Sequence, residues 1–214
     1  ADSPSSRSKL IAQLQKSSGW GFHIITDGFN PMVDKLLGFS FATKPGEAWY
    51  VPVVDDEASS ILEAFKPLLE DQSKEITAKN YKFSRKVFGR LGIQLSKNVF
   101  DCMIAHYLLD PDQTHKLENL ADIFLNYNAM SLEALVGKGK SRKSFDDIEH
   151  EVVRDYACES ADLVLRLAKI FKVEIENAGM TKLLYEVELP LISILADMEL
   201  TGCLLYTSPS PRDL

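Results

Sequence analysis

Between Trp20 and Val53 the chain carries three strand-like segments with little between them but turns. They are "WGFHIIT" (20–26), "KLLGFSFA" (35–42) and "AWYVPV" (48–53). Each is rich in aromatic or β-branched residues, and "DGFNP" and "TKPGE" between them supply the Gly, Asn and Pro of tight reversals. Parallel pairing needs a crossover of a dozen or more residues, so short connections favour an antiparallel meander. In the first strand Phe22, Ile24 and Thr26 share one face, and Gly21, His23, Ile25 and Asp27 the other.

The period then changes. In "DEASSILEAFKPLLED", Ile61, Leu62, Phe65, Leu68 and Leu69 recur at helical spacing. "KEITAKN" reads as one more short strand. From Phe83 onward the pattern is helical: "SRKVFGRLG" with Gly92 as C-cap, "FDCMIAHYLLD" behind Asp101 as N-cap, "HKLENLADIFLN", and "SLEALVG" opened by Ser131 and Glu133. A long stretch, 145–176, reads as one helix or two. Ahead of the strands, residues 1–7 read as disordered, and Lys9–Lys16 as a short helix capped by Ser8. Strands followed by face-covering helices predict an α/β domain over 20–179, after a linker or short helix at 1–19. The helix predicted within 180–202, with at most a kink at Pro190, is expected to lead away from that domain. Residues 203–214 ("CLLYTSPSPRDL") change composition abruptly and are expected to be an artefact-like tail.

Composition narrows the function. The chain has 24 Lys and Arg against 31 Asp and Glu, a net charge of −7, which argues against gripping nucleic acid through one broad basic face. Two basic runs, 79–90 and 137–144, are read as solvated surface. Cys102, Cys158 and Cys203 have no zinc or disulfide spacing, and no apolar run is long enough to span a membrane. A cytoplasmic protein is expected.

"KPGEAWYVPV" (44–53), "KNYKFSRKVF" (79–88), "FDCMIAHYLLDPDQTHKLENLADIFLNY" (100–127), "DYACESADLVLRL" (155–167) and "EVELPLISILADMELTG" (186–202), in that order, resemble the bacterial family A DNA polymerases, the DNA polymerase I group. The first four match its 3′–5′ proofreading exonuclease domain, and the last resembles the first helix of the polymerase domain that follows. The resemblance covers roughly residues 20–202. It implies a ribonuclease H-like fold of the DnaQ exonuclease type, a mixed sheet with flanking helices. It also implies a parent protein that extends primers on DNA in replication and repair.

Such exonucleases hydrolyse DNA from its 3′ end with two divalent metals, which polarise the phosphate and generate the hydroxide. Hard cations of that charge need carboxylate oxygens. The family places them as an Asp-x-Glu pair on the first strand, an Asp in a later helix, and a Tyr-x-x-x-Asp pair on a late helix, where i and i+4 share a face. Carried over one position at a time, the first Asp becomes His23 and the Glu becomes Ile25. The second-motif Asp becomes Ser84. In the third motif Tyr156 is kept, and the Asp becomes Ser160. The resemblance therefore implies a degenerate site with no competent catalytic residue, no metal and no cofactor in this part of the protein. Magnesium is expected in the polymerase domain, which would be its partner in cis, with DNA the partner of the whole.

Other readings stay open at this level. His23 is either a remaining ligand or a structural histidine. Asp27, Asp101, Glu159 and Asp162 are acids near the motifs from which an active site could be rebuilt, although Asp162 lies two residues from Ser160, about 200° around a helix. Ser84 and Ser160 lack a histidine–acid partner of the kind that activates a nucleophile. The rivals are thus an active metal-dependent exonuclease with remodelled ligands, a non-catalytic single-strand DNA-binding module, and an exoribonuclease of the RNase D type, which needs the same missing acids. The unpartnered 186–202 helix predicts an apolar stripe and self-association.

Overall fold

The computed structural model describes residue 1, residues 3–137 and residues 143–202. The tail at 203–214, Cys203 with it, and most of the 137–144 basic run lie outside the described residues. One mixed five-stranded sheet has the order β3-β2-β1-β4-β5. Strands β1 (Gly19–Thr26), β2 (Leu36–Lys44) and β3 (Glu47–Pro52) form the expected antiparallel meander. β4 (Glu75–Ala78) joins β1 in parallel, and β5 (Val99–Asp101) joins β4 the same way. The sequence reading missed β5, because three residues are too few to display a period.

The strand alternation divides the molecule into layers. Trp20, Phe22 and Ile24 of β1 join Phe39 and Phe41 of β2 on one face. There they meet Phe65 of α2 (Ala58–Leu69) and Phe88 of α3 (Tyr81–Arg90), with Leu10 and Leu14 of α1 (Pro4–Lys16) in the same core. The rings of Phe41 and Phe65 stack 5.7 Å apart, and Phe22 lies 6.0 Å from Phe88, so aromatic packing contributes beyond area burial. The opposite face is covered by α7 (His150–Asn177), a single helix of 28 residues with no break. Gly21 permits this close approach: a Cβ there would stand 2.1 Å from the Ala161 carbonyl oxygen. Ser40 completes the contact by donating its hydroxyl to the Ala157 carbonyl at 2.6 Å. Between sheet and α7 in the chain lie α4 (Cys102–Leu109), α5 (Leu117–Leu125) and α6 (Leu132–Val136), the first capped by Asp101 and the last by Ser131 as expected.

Three expectations are corrected. The first helix begins at Pro4, because Ser3 and Ser6 form a reciprocal capping box that fixes its start; residues 3–7 are not disordered. The 79–90 run is not a solvated face. Arg85 is buried and donates to the Leu95 carbonyl at 2.6 Å, Arg90 donates to the Pro31 and Asp34 carbonyls, and Lys82 and Lys86 both pair with Glu199. That acid belongs to α9 (Leu189–Thr201), so α9 does not lead away but folds back along α3, with Leu189, Ile192 and Ala196 buried. Partners so distant in sequence cannot be seen in a local charge pattern. The approach to α9 runs through a short turn, α8 (Thr181–Leu183), and a π-helical turn, Leu184–Glu188, that ends just before Pro190. A widened turn relieves the proline's ring clash and missing N–H, which accounts for a continuous helix without a break.

Candidate functional site

A cavity of about 600 Å³ opens at the C-terminal end of β1, where the central strand meets the β4–α3 turn, the starts of α5 and α6, and the N-terminal half of α7. Four of the five motif positions singled out in the sequence meet there: His23, Ile25, Ser84 and Tyr156 all line it. The fifth, Ser160, sits one turn beyond Tyr156 on α7 and is buried outside the cavity wall. His23 and Ile25 share the β1 face that Gly21 presents to α7, and Ile24 and Thr26 reach the cavity from the other face at the strand's end. The His23 ring meets Tyr156 edge-on at 5.7 Å, and Tyr156 in turn stacks on Phe145 at 6.0 Å. Ile25 is only 1% exposed and packs in an apolar cluster with Tyr50, Val136, Phe145 and Tyr156.

His23 is a neutral histidine. Burial, with the nearby Lys79 ammonium adding to it, pulls its pKa down to about 3 from the usual 6.5. The sign of the linkage follows. The unfolded chain takes up this proton near pH 6.5 and the folded chain only near pH 3, so stability is complete above the first value and is lost as pH falls between the two. Each pH unit in that window costs at most about 1.4 kcal/mol, less where cavity water screens the ring. Urea titrations of the parent and of His23→Gln between pH 7 and pH 4 are expected to diverge, the parent losing about 2 kcal/mol more. Parallel profiles would refute a half-buried, neutral His23. His106, shifted down by burial and by His115, adds a slope common to both proteins.

The donor set does not fit a divalent metal pair. Among the described residues no three of His, Cys, Asp and Glu come together around a point where an ion could sit. Glu118 and Glu133 do line the cavity, but Lys116 holds Glu133 at 2.7 Å. The four acids that could have rebuilt a site are all engaged elsewhere, and none lines the cavity. Asp27 accepts from the Lys35 amide, Asp101 caps two helices, Glu159 accepts from Tyr127 and the Met130 amide, and Asp162 accepts from the Gly46 amide and faces Arg166.

The structure also brings in groups the sequence reading passed over. Lys79 and Asn80, at the β4–α3 turn, line the cavity beside Ser84, as do Lys116, Phe29 and Phe145. Lys79 and Asn80 open the quoted segment 79–88, and that position was the available signal. His106 and His115, which have no metal-ligand spacing, meet through their Nδ1 atoms at 2.7 Å away from the cavity.

A meander continued by two parallel strands, roofed by one long helix and holding a cavity at the end of its central strand, defines the ribonuclease H-like, DnaQ-type exonuclease class. Solved structures agree on the fold. The polymerase domain of Pol1 from M. smegmatis, in complex with DNA primer-template and dNTP, superposes with a TM-score of 0.74 at 19% identity, covering 94% of this chain and 32% of that one. Brucella melitensis NrnC gives 0.72 at 18%, covering 90% and 92%. Escherichia coli RNase D gives 0.71 at 11%, covering 92% and 49%. The particular family follows from sequence: the family model described as 3′–5′ exonuclease, of the DNA polymerase A type, matches residues 2–176, and the chain belongs to that family. DNA polymerase I of Pseudomonas aeruginosa is 31% identical over 206 residues, 91% of this chain and 23% of that protein. That of Borreliella burgdorferi is 30% identical over 198 residues, 90% and 21%. The chain thus spans less than a quarter of the length of these relatives.

Proposed function

We propose that the chain is the exonuclease-domain portion of a cytoplasmic DNA polymerase I whose proofreading site is catalytically silent, and that it serves as a structural platform for DNA synthesis. The observation that carries this reading is the chemistry of the cavity: at the motif positions that line it stand a neutral imidazole, an isoleucine and the Ser84 hydroxyl, where two-metal hydrolysis needs carboxylates. An isoleucine supplies neither a ligand nor a charge. The acids of the family pattern cluster like charges that repel without metal, so residues without that charge favour the metal-free fold.

The α9 surface supports the platform role. One side packs on α3, while Ile194, Leu195 and Met198, with Tyr185 and Val187 just before them, remain exposed. An apolar stripe of that extent suits the start of a polymerase domain covering it in cis. DNA is then the partner of the whole protein, with magnesium at the polymerase site.

The test is digestion of a 3′-labelled single-stranded oligonucleotide by the 214-residue chain, in magnesium and then in manganese. The expected result is no shortening beyond the protein-free control. Shortening that chelator abolishes, and that Asp27→Ala or Asp162→Ala removes, would establish a rebuilt metal site instead.

A further inference from the structure

The cavity has lost its acids but has not become inert toward charge. Three side chains from one turn, Lys79, Asn80 and Ser84, line it, and all three are hydrogen-bond donors. Among the described residues none of the three side chains makes a hydrogen bond or ion pair, and Asn80 caps α3 without using its side chain. Ser84 is buried at 5% exposure, and Lys79 and Asn80 are half-buried at the cavity wall, so all three donors face the cavity without a protein partner. A partly desolvated ammonium with no ion-pair partner is costly, and burial holds its pKa below the usual lysine value while Glu118 and Asp101 oppose that shift.

We propose that the cavity has reversed the sign of its ligand: it binds a phosphate group directly, with no divalent cation, through Lys79, Asn80 and Ser84. This rests on the reading that the metal ligands are gone. An aspartate at position 84 would repel a phosphate unless metal ions stood between them, whereas Ser84 donates to it. His23, being neutral, does not oppose it, and Ile25 has no charge. The volume of about 600 Å³ exceeds what a phosphate needs, and Phe29, Phe83, Phe145 and Tyr156 in its wall offer rings for a base to stack on. The ligand class is therefore a nucleotide phosphate, either free or at the end of a single strand. Glu118 competes with it: it lines the same cavity and attracts Lys79 without forming an ion pair with it, while Glu133, also in the lining, is held by Lys116.

The experiment is calorimetric titration of the 214-residue chain in EDTA with three probes: inorganic phosphate, thymidine 5′-monophosphate and a thymidine hexanucleotide. Saturable binding of the monophosphate is expected, weakened about tenfold or more by Lys79→Gln and by Ser84→Asp, and tightened by Glu118→Gln. Tighter binding of the hexanucleotide than of the monophosphate assigns the site to a strand end, and the reverse to a free nucleotide. Absence of saturation by all three probes up to about 10 mM overturns the proposal. So does binding that needs magnesium, or binding that all three variants leave unchanged. Circular dichroism establishes that each variant is folded, and the Glu118→Gln arm, a gain rather than a loss, cannot arise from misfolding. Shortening of the hexanucleotide in magnesium would refute the silent-site reading separately, and is read out by its length rather than by heat.

Discussion

A chain given the family's four acids, by His23→Asp, Ile25→Glu, Ser84→Asp and Ser160→Asp together, is expected to be unstable in EDTA and to regain stability in manganese. The physical argument starts at Ile25, which is 1% exposed in an apolar cluster. Removing it forfeits about 1.5–3 kcal/mol of burial. A carboxylate in its place must either ionise without solvent or raise its pKa, at a cost of several kcal/mol. Ser160 is equally buried at 1%, so an aspartate there is penalised in the same way. Four mutually repelling acids bring the total to about 5 kcal/mol or more, comparable with the whole stability of a domain. Divalent ions reverse the sign of that interaction, and binding free energy becomes folding free energy. Thermal melts in EDTA and in manganese read this directly. A variant that melts like the parent in EDTA, or that manganese does not stabilise, would mean the cavity is not the relic of a metal site.

Most of the framework that positions this cavity was legible in the sequence, because its determinants are local. The β1–β2–β3 meander rests on short turns and aromatic strands, and the cap residues Asp101 and Ser131 mark the starts of α4 and α6. The motif spacing brought His23, Ile25, Ser84 and Tyr156 to one cavity wall. What failed was nonlocal or too short. β5 has no period to detect, and its pairing with β4 depends on contacts across more than twenty residues. The basic run at 79–90 looked solvated because its partners, Asp197 and Glu199, lie on a helix more than a hundred residues away. Lys79 was hidden inside that run, although its placement differs in kind from that of Lys82 and Lys86, which pair outward with α9. Charge patterning reports composition, and only the fold decides which lysine faces a cavity.

Asp101→Ala is expected to cost about 3–5 kcal/mol, far more than a typical helix cap. The Asp101 carboxylate is 1% exposed and serves two helix starts at once. It accepts from the Met103 amide at 2.8 Å and the Ile104 amide at 3.4 Å at the start of α4, and from Tyr81 at 2.6 Å and Asn80 at 3.2 Å at the start of α3. Alanine leaves these buried amides without their acceptor, which is the expensive direction of change. It also removes what holds Asn80 in the left-handed region, φ 58°, a conformation that costs energy in any residue with a Cβ. Asp101→Asn keeps one acceptor oxygen and turns the other into a donor, so it is expected to retain one cap, lose the other and fall between parent and alanine. Urea midpoints give the ranking, and hydrogen exchange at the Asn80 and Tyr81 amides shows which helix start is released. An alanine variant within about 1 kcal/mol of the parent would mean that the two caps are not coupled through this carboxylate. The residue matters beyond stability because the turn it holds is the one that carries Lys79, Asn80 and Ser84 into the cavity. Loosening that turn by Asp101→Asn is therefore expected to weaken any anion binding there while leaving all three donor side chains in place.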